Sequence, residues 1–131
     1  MLEPYERAAL IPAEPGVPWH SFLKSRFVES SRTNGKALSL AIVVQAVQQQ
    51  SHVHADIVGL LELYSGSALP VVLGFVGQLN LENREFSIRQ DQSGKNFTGK
   101  ISENGLVMTL HEMGSSKPIY LVHEPTLAQL V

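Results

Sequence analysis

The sequence predicts a mainly β, single-domain protein: an antiparallel β-meander curled into a small barrel or half-barrel, with an extended, partly helical N-terminal segment packed on it. Three observations carry this. Apolar residues alternate with period two through most of the second half of the chain, the signature of half-buried strands. The segments between those runs, "DQSG", "ENG" and "GSSKP", hold the small and glycine residues that tight turns require. Glycines at 59, 74, 77 and 99 fall inside the runs, where glycine marks bulges or sharp curvature.

The elements follow in order. Residues 1–18 contain Pro4, Pro12, Pro15 and Pro18 and read as an extended arm, because each proline disfavours helix in the residue before it. Trp19, the only tryptophan, and Phe22 follow directly and predict that the arm docks on the core there. "SSRTNG", 30–35, is a turn cluster. The segment "KALSLAIVVQAVQQQ", 36–50, fits either helix or strand; its centre, Ile42-Val43-Val44, favours strand. "DIVGLLELYSG" adds a further strand. From residue 70 the alternation predicts five consecutive strands, with Phe75, Phe86, Ile88, Phe97, Ile101, Met108 and Leu121 facing inward. The domain reading is an arm over 1–35 docked on a β-rich core over 36–131.

Composition narrows the function classes. A chain of 131 residues supports one ordinary core, and 44% hydrophobic with 17% charged residues is a globular balance. With no cysteine there is no disulfide scaffold, thiol nucleophile or thiolate-bound metal, and the cytoplasm is the expected compartment. No basic region followed by an apolar run opens the chain, and no apolar run is long enough to span a bilayer, so a soluble protein is expected. Net charge is −2, and the one cationic cluster, Lys24, Arg26, Arg32 and Lys36, is short, which argues against nucleic acid as partner.

The most chemically loaded stretch is "SHVHADIVG", 51–59. On a strand His52, His54 and Asp56 share one face, and two imidazoles with a carboxylate are a sensible zinc donor set. The string resembles part of the metallo-β-lactamase superfamily signature, H-x-H-x-D-H-x-G, at His52, His54, Asp56 and Gly59. The resemblance implies a metal-dependent hydrolase. Ile57, however, stands where that family has a histidine, and the family's four-layer αββα sandwich is larger than this chain. His111 and His123, near the ends of adjacent strands, are the candidates for a further ligand.

Other motifs fail on their context. "GKNFTGKI", 94–101, departs from the phosphate-binding loop at Ile101, and its alternation excludes the helix that loop needs. Asn96-Phe97-Thr98 is a glycosylation sequon in a chain that opens without a secretory signal. No G-x-S-x-G elbow and no dinucleotide fingerprint occurs. The expectation is therefore a non-catalytic binding module without a cofactor. It would hold a small apolar ligand in a cavity of the curved sheet, or a protein partner on the sheet face carrying Val72, Val76, Val107, Tyr120 and Val122. The alternative is a zinc-dependent hydrolase built on His52, His54, Asp56, His111 and His123.

Overall fold

The computed structural model describes residues 2–30, 40–64, 69–90, 92 and 94–130. Its centre is a closed antiparallel barrel in which each strand pairs with its neighbours in sequence and the last pairs with the first. The strands are β1 (Arg26–Glu29), β2 (Leu40–Gln49), β3 (His54–Leu63), β4 (Val71–Asn80), β5 (Glu85–Gln90), β6 (Asn96–Ile101), β7 (Val107–Glu112) and β8 (Ile119–His123). A helix α1 (Pro4–Ala9) and a 3-10 turn (Trp19–Phe22) precede the barrel, and a helix α2 (Glu124–Leu130) follows it.

The predicted meander is borne out, and so is its inward face: Phe75, Phe86, Ile88, Phe97, Ile101, Met108 and Leu121 are all buried in one core cluster. The ambiguous segment is a strand from Leu40 onward; residues 36–39 lie outside the described residues, as does most of the "SSRTNG" turn. β-Branched Ile42, Val43 and Val44 fit a pleated surface, and Ile42 and Val44 enter the core while Val43 faces outward. Val44 pairs with Gly59 and Ala46 with Val58, so Gln45 is a bulge. Gly59 is needed at this corner, because a β-carbon there would sit 2.0 Å from the Val43 carbonyl oxygen.

The N-terminal segment is partly helical and packed on the barrel, as expected; only the extended reading of its first residues gives way. Pro4 opens a helix rather than preventing one, because a first-turn residue has no intrahelical partner for its N–H. The Glu3 backbone N–H donates to the Glu6 carboxylate at 3.1 Å and fastens that turn. Residues 26–29, inside the segment read as an arm, form β1 and close the barrel against β2 and β8. Trp19 packs on the core cluster, as its size requires.

Outside the wall, α1 and α2 cover β7 and β8. Ala8, Val107 and Val122 are buried together, with Tyr5, Leu127 and Leu130 packed on them. Asn104 ties this layer down: its side-chain amide donates to the carbonyls of Ala8 (2.8 Å) and Ile11 (2.9 Å). Arg26 ties β1 to β3 and α2 by donating to Glu62 (2.7 Å), Tyr64 (2.9 Å) and Glu124. The guanidinium holds the Glu62 carboxyl below its ordinary range, and Glu62 raises Arg26 in return.

Candidate functional site

Both ends of the barrel are defined by strand direction. At one end lie the starts of β1, β3, β5 and β7 and the ends of β2, β4, β6 and β8. Leu23 is buried in the core cluster, with Trp19 and Leu81 packed against it. Trp19 and Leu23 come from the segment entering β1, and Leu81 from the β4–β5 turn, so this end is plugged by apolar side chains. Between the walls the remaining space is about 10 Å³, lined by Leu23, Ile42, Ile57, Phe75 and neighbours. The barrel's centre is a packed core, with no room for a ligand there.

Among the described residues the opposite end carries no such plug. Every strand directs an inward-facing residue to this end: Glu29 from β1, Leu40 from β2, Leu61 and Leu63 from β3, Leu73 from β4, Gln90 from β5, Phe97 from β6, Glu112 from β7 and Ile119 from β8. With Lys95, immediately before β6, they enclose a pocket of about 210 Å³. Its floor is largely apolar: Leu40, Leu61 and Phe97 are buried, and Gln90, 2% exposed, places an amide among them. Its rim is charged. Lys95 Nζ lies 3.5 Å from a Glu112 carboxylate oxygen, and both side chains are well exposed, so solvent screens the pair.

The outer face is different in kind. Two shallow depressions of about 560 and 760 Å³ meet at Gln78, Ser87 and Thr98 on the outside of β4–β6. Those residues are exposed, and the register sets them in one row from Asp56 through Gln78, Ser87 and Thr98 to His111. The row is a polar wall open to water.

The zinc donors proposed from sequence are dispersed. The strand begins at His54, so His52 lies in the preceding bend and does not share the face of His54 and Asp56 as expected. His111 stands four strand spacings from Asp56, about 19 Å along the sheet. Nor do His111 and His123 approach one another: β7 and β8 pair Val107 with Val122 and Leu110 with Ile119, which sets the two histidines at opposite ends and on opposite faces. His123 instead packs edgewise on Phe22 and Phe27, and burial pushes its imidazole below the ordinary value. Among the described residues no three potential ligands come together.

The sheet face proposed for a partner is split by the chain's own helices. Val107 and Val122 are buried beneath α1 and α2, and Tyr120 stacks flat on Tyr5 with ring centroids 3.8 Å apart. Only Val72 and Val76 remain open to solvent, at 50% and 38% exposure. Sequence reasoning missed the residues of the pocket end. Their signal was the parity of the strands: each lies on the inward face at the same end, but that is visible only once β1 is recognised as a strand.

No protein-family profile matches the chain, and no curated protein sequence matches it. No helix among the described residues is long and apolar enough to cross a membrane.

Proposed function

We propose that this protein is a non-catalytic binding module that takes the apolar end of a small ligand into the pocket end of the barrel. The carrying observation is the convergence of all the strands on one largely apolar pocket with a charged rim, at the end opposite Trp19, Leu23 and Leu81. Ligand sites are concave and mostly apolar, with a few placed polar groups. Here Leu61, Leu73, Phe97 and Ile119 would grip the apolar part, the Gln90 amide would orient it, and Glu29, Lys95 and Glu112 would select the head group. The volume suits a short acyl chain or a single ring system. The outer depressions are broader but shallower, and would leave more of a ligand in water. The cytoplasm is the compartment consistent with the cysteine-free sequence.

The test is calorimetric titration with decanoate and with anilinonaphthalene sulfonate, on the parent and on two variants. Leu73→Trp fills the pocket; Val76→Glu alters only the outer face. Saturable binding of one ligand per chain, weakened at least tenfold by Leu73→Trp and unchanged by Val76→Glu, supports the reading. Binding indifferent to Leu73→Trp in a variant that still folds, or no binding of either compound, overturns it.

A further inference from the structure

The barrel wall is closed unevenly. β1 pairs with β2 only over Arg26–Val28 against Ala41–Val43, and the last contact is the Val44 N–H donating to the Ser25 carbonyl at 3.0 Å. Beyond the bulge at Gln45, β2 continues to Gln49 paired with β3 alone. One backbone edge of that stretch therefore faces outward without a strand beside it among the described residues. Its orientation follows from alternation. The Gln50 N–H points to β3, where it donates to the His54 carbonyl at 2.8 Å, so Gln48 points to β3 and Val47 and Gln49 point away. All of Gln45–Gln49 is exposed.

An open edge is a template for another strand, and proteins ordinarily guard it with charge or proline. This edge carries neither: between Lys36 and Asp56 the sequence holds no Asp, Glu, Lys, Arg, Pro or Gly. We propose that two copies of this chain associate by pairing this edge of β2 antiparallel with itself about a two-fold axis, making one sheet continuous across a dimer. The occupant follows from the composition. An uncharged strand offers nothing for a charged peptide to complement, whereas a second copy meets it without like-charge repulsion and matches glutamine to glutamine.

The register that pairs both outward-pointing residues, Val47 and Gln49, with each other has its two-fold axis at Gln48. With the axis at Gln48, Val47 of one copy faces Gln49 of the other. Both are outward-pointing residues, so every N–H and C=O they present is satisfied. Shifting by one residue would set Val47 against Gln48, whose N–H and C=O are committed to β3. Gln48 then faces its own copy as a non-hydrogen-bonded pair, with Cα atoms about 4.5 Å apart and side chains adjacent on the outer face. That spacing falls within disulfide reach.

Because the chain contains no cysteine, Gln48→Cys introduces a single thiol. Sedimentation equilibrium of the parent should give twice the 14.4 kDa of one chain. Gln48→Cys should form an intermolecular disulfide rapidly under mild oxidation, while Val58→Cys, on the neighbouring strand, should not. Gln48→Glu sets two carboxylates at the axis and should weaken the dimer several-fold without lowering the melting temperature of the monomer. Gln49→Pro removes an edge donor without touching the β2–β3 ladder and should act in the same direction. A parent that is monomeric at high micromolar concentration overturns the proposal. A dimer that survives both edge variants and does not cross-link through Gln48→Cys overturns it equally, by placing the interface elsewhere.

Discussion

The carbonyl oxygen of Trp19 lies so close to Gly105 that a β-carbon at that position would sit 2.2 Å from it. Gly105 also has φ of +79°, a conformation that side-chain-bearing residues resist. The β6–β7 turn thus accepts the plug segment through direct backbone contact. Gly105→Ala should destabilise the fold by about 2–4 kcal/mol, since both the left-handed strain and the displacement of Trp19 count against it. Urea unfolding measures this; a loss under about 0.5 kcal/mol would mean that the plug does not rest on the turn.

Asn104 holds the α1 layer from beneath. Besides donating to Ala8 and Ile11, its carbonyl oxygen accepts from the Leu106 N–H at 3.1 Å, and the residue is buried. Asn104→Ala leaves those buried groups without partners and should cost about 2–3 kcal/mol. The same variant should make residues near Tyr5 and Ala8 exchange their amide hydrogens faster while the amides of β4 and β5 keep their protection. Uniform loss of protection would assign Asn104 to the whole core instead.

His123 gives the stability a pH dependence of defined sign. Its Nδ1 lies 2.9 Å from the Thr126 hydroxyl, and the ring sits between Phe22 and Phe27. Burial lowers its pKa below the ordinary 6.5, so the unfolded chain binds a proton that the folded protein resists. Stability from this group is complete above pH 6.5 and is lost as pH falls through 6.5 toward the lowered folded value. Glu62, whose carboxyl is also held below its ordinary value, adds a second loss at more acidic pH. Chemical denaturation of the parent and of His123→Leu at a series of pH values checks this. The variant should lack the loss that begins near pH 6.5 and keep the acidic one.

Phe97 belongs to both the core and the floor of the pocket, at 7% exposure. Phe97→Ala should cost about 3–5 kcal/mol in unfolding. A loss below about 0.5 kcal/mol would be inconsistent with its packed position.

Period-two alternation made β4 to β8 legible, because each strand has one buried and one open face and a side chain's parity decides which it meets. β1 escaped because "RFVE" is too short to display a period, although it completes the wall. The position of α1 escaped because Pro4 read as disfavouring helix, yet it occupies a first-turn position where its missing N–H removes no helical bond; Pro125 sits likewise in the first turn of α2. The histidines misled because alternation in "HVHAD" was carried through His52, where the chain is already turning. Spacing in one strand also says nothing about the register of β7 on β8, which separates His111 from His123. The pocket was legible only as parity at strand ends, and its lining comes from every strand, so no local motif encodes it.

Methyl-resolved NMR tests the central claim, that ligand enters the pocket end of the barrel. Leucine and isoleucine methyl shifts would be followed during titration with decanoate, with valine methyls as the control for the outer face. The account predicts that the perturbed signals are those of Leu40, Leu61, Leu63, Leu73 and Ile119, while Val58 and Val76 stay still. Shifts centred on Val58 and Val76, with the leucines of the pocket end unmoved, would contradict it and move the binding surface to the outside of the wall.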